Sequence, residues 1–219
     1  EWKKRKEGWG EYTWRGTQIF HADRPEGPFM PFSKFVTTPM DWMAIDGTLW
    51  VEDGKPYMVF CHEWVQTEDG TMEAVELLPD LSAMAVAPQT LFYGSAPDWS
   101  TGLEMAPGYP KGYITDGCFL YRTKTGKLLM IWSSFSNGNY AIGISESVTG
   151  SVKGPWKHQP EPMFKKDGGH GMIFKNLDGQ LCLVLHQPNA PAASERAQIF
   201  NLEDCGDTLK LANPNNTNK

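Results

Sequence analysis

Asp46-Gly47-Thr48-Leu49-Trp50-Val51 runs through the turn Asp53-Gly54 into Tyr57-Met58-Val59-Phe60. It places a polar residue and a glycine before an apolar strand, a glycine turn and a second apolar strand. The order returns as Asp116-Gly117-Cys118-Phe119-Leu120-Tyr121, Gly126 and Leu128-Leu129-Met130-Ile131-Trp132. It returns again as His170-Gly171-Met172-Ile173-Phe174, Asp178-Gly179 and Leu181-Cys182-Leu183-Val184-Leu185. The turn glycine follows the leading residue by 8, 10 and 9 positions (46 to 54, 116 to 126, 170 to 179). A repeated hairpin headed by a titratable group sets equivalent side chains around one axis, as the blades of a β-propeller do.

A second element lies outside the hairpins. Arg24-Pro25-Glu26-Gly27-Pro28-Phe29 follows an apolar stretch within residues 12–22, and Val152-Lys153-Gly154-Pro155-Trp156 follows Tyr140-Ala141-Ile142-Gly143-Ile144-Ser145. Hairpin plus this strand and Gly-Pro-aromatic phrase makes a four-stranded unit. Helical periodicity is missing, and the longest candidate, Met72 to Leu81, is broken by Pro79. Turn dipeptides (Asp53-Gly54, Asp69-Gly70, Asn137-Gly138, Asp178-Gly179) recur at strand-sized intervals. The expected class is all-β. A partial blade at 12–35 and blades at about 41–105, 112–160 and 167–211 form one incomplete propeller domain. With fewer blades than the ~4–8 of a closed propeller, the chain is expected to be the C-terminal portion of a larger protein.

The net charge of −6 and pI near 5.4 argue against nucleic acid, whose phosphates demand cations. The short basic run Lys3-Lys4-Arg5-Lys6 reads as a solvated loop, as do residues 1–11 in general. No stretch approaches the ~20 apolar residues that span a bilayer. Cys61, Cys118, Cys182 and Cys205 are scattered, permitting disulfides without demanding them.

In a propeller the first strands of all blades start at one face, and the second strands return to it. Asp46, Asp116 and His170 should therefore ring one mouth of the channel. Beside them should lie His62-Glu63-Trp64, Trp132-Ser133-Ser134-Phe135 and His186-Gln187-Pro188. Paired carboxylates in an aromatic pocket suit glycoside hydrolysis, in which the departing oxygen needs a proton and water must be activated. Asp46 and Asp116 are the catalytic candidates. His62, Glu63, Trp64, Trp132, His186 and Arg196 are the substrate-binding candidates, and His170 the metal candidate. Blander roles stand beside these: turn capping for the aspartates, buried hydrogen-bonded positions for the histidines, blade packing for the tryptophans.

At these residues the chain resembles glycoside hydrolase family 43, the five-bladed propeller arabinofuranosidases and β-xylosidases. The resemblance runs through Arg15-Gly16-Thr17-Gln18 with Pro25-Glu26-Gly27-Pro28-Phe29, then Ile45-Asp46-Gly47-Thr48-Leu49. It continues through Thr115-Asp116-Gly117-Cys118-Phe119-Leu120 with Trp132-Ser133-Ser134-Phe135, and ends at Gly169-His170-Gly171 with Leu185-His186-Gln187-Pro188. It implies an inverting mechanism with a base, a pKa-modulating aspartate and a general acid. Asp46 falls on the modulator position and Asp116 on the acid position. His170 falls near an ion or water cluster on the axis, often calcium in arabinan-active members.

Two departures follow. The family's acid is usually glutamate in Glu-Gly-Pro, whereas this chain has Asp116-Gly117-Cys118, which makes Glu63 the alternative donor. The base belongs to a first blade outside these residues. The function so implied is exo-release of α-L-arabinofuranosyl or β-D-xylosyl units from plant oligo- or polysaccharide, with an extracellular or periplasmic location. A catalytically incomplete carbohydrate-binding propeller is the alternative. The open blade edge should be covered by the missing N-terminal blade or by another copy.

Overall fold

A computed structural model describes residues 14–104, 111–191 and 193–212. The run Lys3-Lys4-Arg5-Lys6, the loop reading of residues 1–11 and the boundary at residue 105 lie outside the described residues. The chain opens with a two-stranded ribbon, β1 (Phe20–His21) and β2 (Met30–Pro31). The first four-stranded sheet holds β3 (Ala44–Glu52), β4 (Lys55–His62), β5 (Thr71–Glu76) and β6 (Gln89–Tyr93) in that order. A second ribbon, β7 (Leu103–Glu104) and β8 (Lys111–Gly112), precedes the next sheet of β9 (Asp116–Arg122), β10 (Leu128–Ser136), β11 (Asn139–Ser147) and β12 (Trp156–His158). The last sheet holds β13 (Gly169–Lys175), β14 (Leu181–Gln187), β15 (Arg196–Asp204) and β16 (Leu209–Leu211). All three are antiparallel meanders whose first strands adjoin, β9 touching β3 on one side and β13 on the other. They are successive blades of a propeller. No helix among the described residues is long and apolar enough to cross a membrane.

Turn chemistry sets the hairpins. Asp53 and Gly54 (φ 51° and 75°) join β3 to β4, and Asn137 and Gly138 (φ 49° and 81°) join β10 to β11. Two successive positive φ values match the right-handed twist of the flanking strands. Asp69-Gly70, in contrast, makes no hairpin. Gly70 crosses under the next blade's entry, where its N–H donates to the Tyr113 carbonyl at 2.8 Å and a β-carbon would lie 2.8 Å from the same oxygen.

The central blade explains its continuous apolar run. Leu128, Met130 and Trp132 of β10 face the preceding blade, packing with Tyr57, Val59, Cys61, Met72 and Phe92. Leu129 and Ile131 face the following blade, with Ile173, Leu183, Leu185 and Leu202. A strand with a blade on each side is buried on both faces, so the period-2 alternation of a half-buried strand vanishes. Gly143 belongs to this packing, because its β-carbon would fall 2.1 Å from the Trp99 ring.

The structure departs from expectation in two local places. Of the strand expected within residues 12–22, the described residues 14–22 form no single strand. Only Phe20–His21 pairs, while Arg15 and Thr17 run as a strap that accepts from the amides of Ala44 (3.2 Å) and Thr37 (2.7 Å). A short helix, α1 (Trp64–Thr67), stands where no helical periodicity exists, because four residues are too few to show any. On the last blade, Ile173 points into the core, while Met172 and Phe174 on the opposite face are 54% and 37% exposed.

Candidate active site

Each blade's first strand opens on a β-bulge, and the bulges build the site. The ladder shifts register between Ile45 and Thr48, between Ile131 and Ser133 opposite Gly117-Cys118, and between Gly169 and Met172. The first bulged residue is left-handed in every case: Asp46 (φ 60°), Gly117 (φ 53°) and His170 (φ 53°). For Asp46 and His170 this is a conformation side-chain-bearing residues rarely adopt, and it turns them out of the regular pleat. The true counterpart of Asp46 and His170 is therefore Gly117. Asp116 stands one residue earlier, paired with Ser133.

Three contacts clamp β3 to β9. The Gly117 N–H donates to Asp46 Oδ2 at 3.0 Å, and Thr48 Oγ1 donates to the Cys118 carbonyl at 2.6 Å. Cys118 Sγ lies 3.3 Å from the Asp46 carbonyl oxygen and 3.2 Å from that of Val59, with its S–H between them. Asp46 and Asp116 thus share one end of the channel, held by backbone as well as side chains. His170 joins them, its Nε2 3.8 Å from Asp46 Oδ1 and its N–H donating to Ser133 Oγ at 2.8 Å.

Asp116 is largely buried at the head of β9. Burial pushes its pKa up to about 7, and repulsion from Asp46 adds to the effect. The Tyr140 hydroxyl, donating to Asp116 Oδ2 at 2.8 Å, pulls the other way. Glu63 raises it slightly and Arg15 lowers it. Near neutral pH this carboxyl is poised between acid and carboxylate, the condition suited to a proton donor.

Glu63 is buried, and its Oε1 accepts from Arg15 at 2.7 Å. An oxygen engaged by a guanidinium is an acceptor, so the pair favours Asp116 over Glu63 as proton carrier. Arg15 was not among the residues singled out for the site. Its only signal was membership of Arg15-Gly16-Thr17-Gln18, which the fold lays against the start of β3. Tyr140 was likewise missed, since nothing in an apolar strand marks one hydroxyl as reaching across two strands.

Other candidates separate. Trp132 is fully buried with its rings 5.0 Å from Trp99 and 5.2 Å from Phe92, and its Nε1 donates to Ser145 at 2.9 Å. It is a core residue and offers no face to a sugar. His62 stacks on Trp42 (4.1 Å, 8°) and pairs through Nε2 with Gln66 at 2.8 Å, while burial lowers its pKa. It alternates away from Cys61, which faces the aspartates' side of the blade. Trp64 begins α1 and packs on Gly112, whose β-carbon would meet its ring at 2.6 Å. His186 stacks on Tyr140 (5.5 Å, 19°) and, with His170, Met172 and Arg196, lines an open depression of about 290 Å³. Arg196 is exposed there, donating to the carbonyls of Ala193 and Glu195 at 3.1 and 2.7 Å.

Calcium takes six to eight oxygen ligands. Around His170 lie the carboxylates of Asp46, engaged by Gly117, and of Glu195, which lines the same depression, and among the described residues no group of three His, Cys, Asp or Glu is arranged to hold a metal. No step is derived through a calcium ion.

The model of Glycosyl hydrolases family 43 matches residues 4–202. No curated protein matches. Among solved structures, an endo-arabinase from Bacteroides thetaiotaomicron VPI-5482 is 40% identical with a TM-score of 0.79, covering 86% of this chain and 66% of its own. A thermostable family-43 glycoside hydrolase is 20% identical (TM-score 0.72, covering 90% and 66%). An α-L-arabinofuranosidase from Lactobacillus brevis is 18% identical (TM-score 0.66, covering 90% and 65%). The chain thus spans about two thirds of the length of these neighbours. A family match over nearly its whole length makes this chain a member of glycoside hydrolase family 43.

Proposed function

We propose that the protein is a glycosidase acting on arabinose- or xylose-containing plant polysaccharide or its oligosaccharides, by inversion, with Asp116 as general acid and Asp46 as the carboxylate that tunes it. The observation that carries the proposal is the clamp of Asp46 on the Gly117 amide, which holds a second carboxylate against an enclosed Asp116. In the reaction, Asp116 passes its proton to the departing glycosidic oxygen while a base activates water on the opposite face of the sugar. Asp46 and Glu63 are committed to Gly117 and Arg15, so the base is assigned to a part of the protein beyond these blades. The same reading places a further sheet of the whole protein over Met172 and Phe174. It rests on the exposure of those residues and on neighbours about two thirds of whose length this chain covers.

Hydrolysis of nitrophenyl α-L-arabinofuranoside and β-D-xyloside, arabinan and xylan by the whole protein tests the proposal, with NMR of the first-formed anomer to read inversion. No turnover of any pentoside would sink it. The 219-residue chain alone is expected to bind such sugars without turning them over.

Asp46→Asn provides a pH test. Asparagine still accepts from Gly117 but removes the like charge that helps raise the Asp116 pKa. The alkaline limb of kcat/KM, which reports loss of the acid's proton, is expected to move to lower pH. An unmoved limb would separate Asp46 from the acid.

A further inference from the structure

Tyr140 sits in the third strand of the central blade, two strands from Asp116, yet their side chains touch. The sheet permits this because Ser133, the residue between them on the same face, is small: it pairs with Asp116 on one side and with Ile142 on the other. Tyr140, two residues before Ile142, lies diagonally across that gap and donates to Asp116 Oδ2 at 2.8 Å. The ring is fixed from outside. A β-carbon on Gly169 would lie 2.4 Å from it, His186 stacks on it, and Phe135 packs at 5.2 Å. The phenol is 3% exposed, so the ring and its hydroxyl are shielded from solvent.

We infer that Tyr140 is a positioning residue for the proton donor: its hydroxyl occupies Oδ2 of Asp116, so that the transferable proton is carried on Oδ1 and presented in one orientation. This rests on the assignment of Asp116 as the acid. A hydrogen bond to a carboxylate favours its ionised form. Tyr140 therefore also opposes burial and Asp46, keeping the acid from being too weak to donate near neutral pH. Asp116 is faced by Asp46 from β3, by Glu63 just after β4, by Arg15 from the strap against β3, and by Tyr140 from β11. His170 on β13 borders Gly117, His186 on β14 lies behind Tyr140, and Cys61 and Cys118 close the floor. Among these, the Tyr140 hydroxyl is the group that Asp116 Oδ2 is seen to accept from.

The experiment uses the whole protein with arabino- and xylo-oligosaccharides. Tyr140→Phe is expected to move the alkaline limb of kcat/KM upward by roughly one pH unit, the scale of a hydrogen bond to a charged group. It should lower kcat ~10-fold with little change in KM. Because Tyr140→Phe leaves a buried oxygen unpaired and lowers stability, 3-fluorotyrosine at position 140 gives the second arm. Its more acidic phenol is a stronger donor in the same volume, so the limb should move downward. Limbs that stay in place in the folded fluorotyrosine protein overturn the inference. Asp116→Asn run alongside separates the two ideas. If it abolishes the limb while Tyr140 variants leave it unmoved, only the role of Tyr140 fails. If it leaves the wild-type limb intact, Asp116 is not the acid and both fall.

Discussion

Asp116→Asn is expected to lower kcat/KM on arabino- or xylo-oligosaccharides by ~10²–10⁴-fold, the usual contribution of a positioned general acid. On a nitrophenyl glycoside the loss should be far smaller, because an activated phenolate leaves without a proton. Equal losses on both substrates would point to Glu63 or to a structural role. The same substitution has an opposite effect on stability. A carboxyl whose folded pKa lies near 7, above its ordinary value, favours the folded state fully below about pH 4. That contribution is lost as pH rises through 7, when folding must enclose the charge. Asparagine carries no such penalty, so the variant should gain on the order of a few kcal/mol relative to wild type at pH 8 and much less at pH 4. Activity lost and alkaline stability gained at one position is the signature of a site held against the fold's preference. Denaturation at the two pH values reads it, and an equal effect at both would dismiss the enclosed-acid account.

Trp132→Ala is expected to cost about 3–5 kcal/mol of stability, the range for deleting a large core aromatic. For a domain of this size that corresponds to a fall of roughly 10 °C in Tm. The cavity would open among Phe92, Trp99 and His158 and remove the indole donor from the Ser145 hydroxyl, which keeps His158 Nδ1 as its partner. KM for oligosaccharides should stay unchanged in the fraction that remains folded. A weaker KM with an unchanged Tm would instead make Trp132 a sugar platform.

The two aspartates show how far a repeat can be read. In the linear chain Asp46-Gly47, Asp116-Gly117 and His170-Gly171 look equivalent, and the all-β class and the convergence of their strands on one mouth follow from that pattern. Turn dipeptides and strand lengths are local properties, so Asp53-Gly54 and Asn137-Gly138 act as their sequences dictate. Membership of Arg15-Gly16-Thr17-Gln18 in the site's surroundings was also legible, as a motif without an assigned role.

What only the tertiary structure decided is which face and which blade each side chain meets. A one-residue difference in bulge register puts Asp46 at its bulge and Asp116 one residue before its own, and no local pattern encodes that difference because both strands begin with the same dipeptide. Trp132 and Ser133 reach the same height on β10, yet one is core and the other borders the site, because adjacent residues of a strand face opposite sides. Tyr140 meets Asp116 through a small residue on an intervening strand, a contact spanning 24 positions that exists only once three strands are in register. The residue types and their alternation determined that this chain makes blades. The stagger and stacking of those blades determined which carboxyl is enclosed, and with it the chemistry.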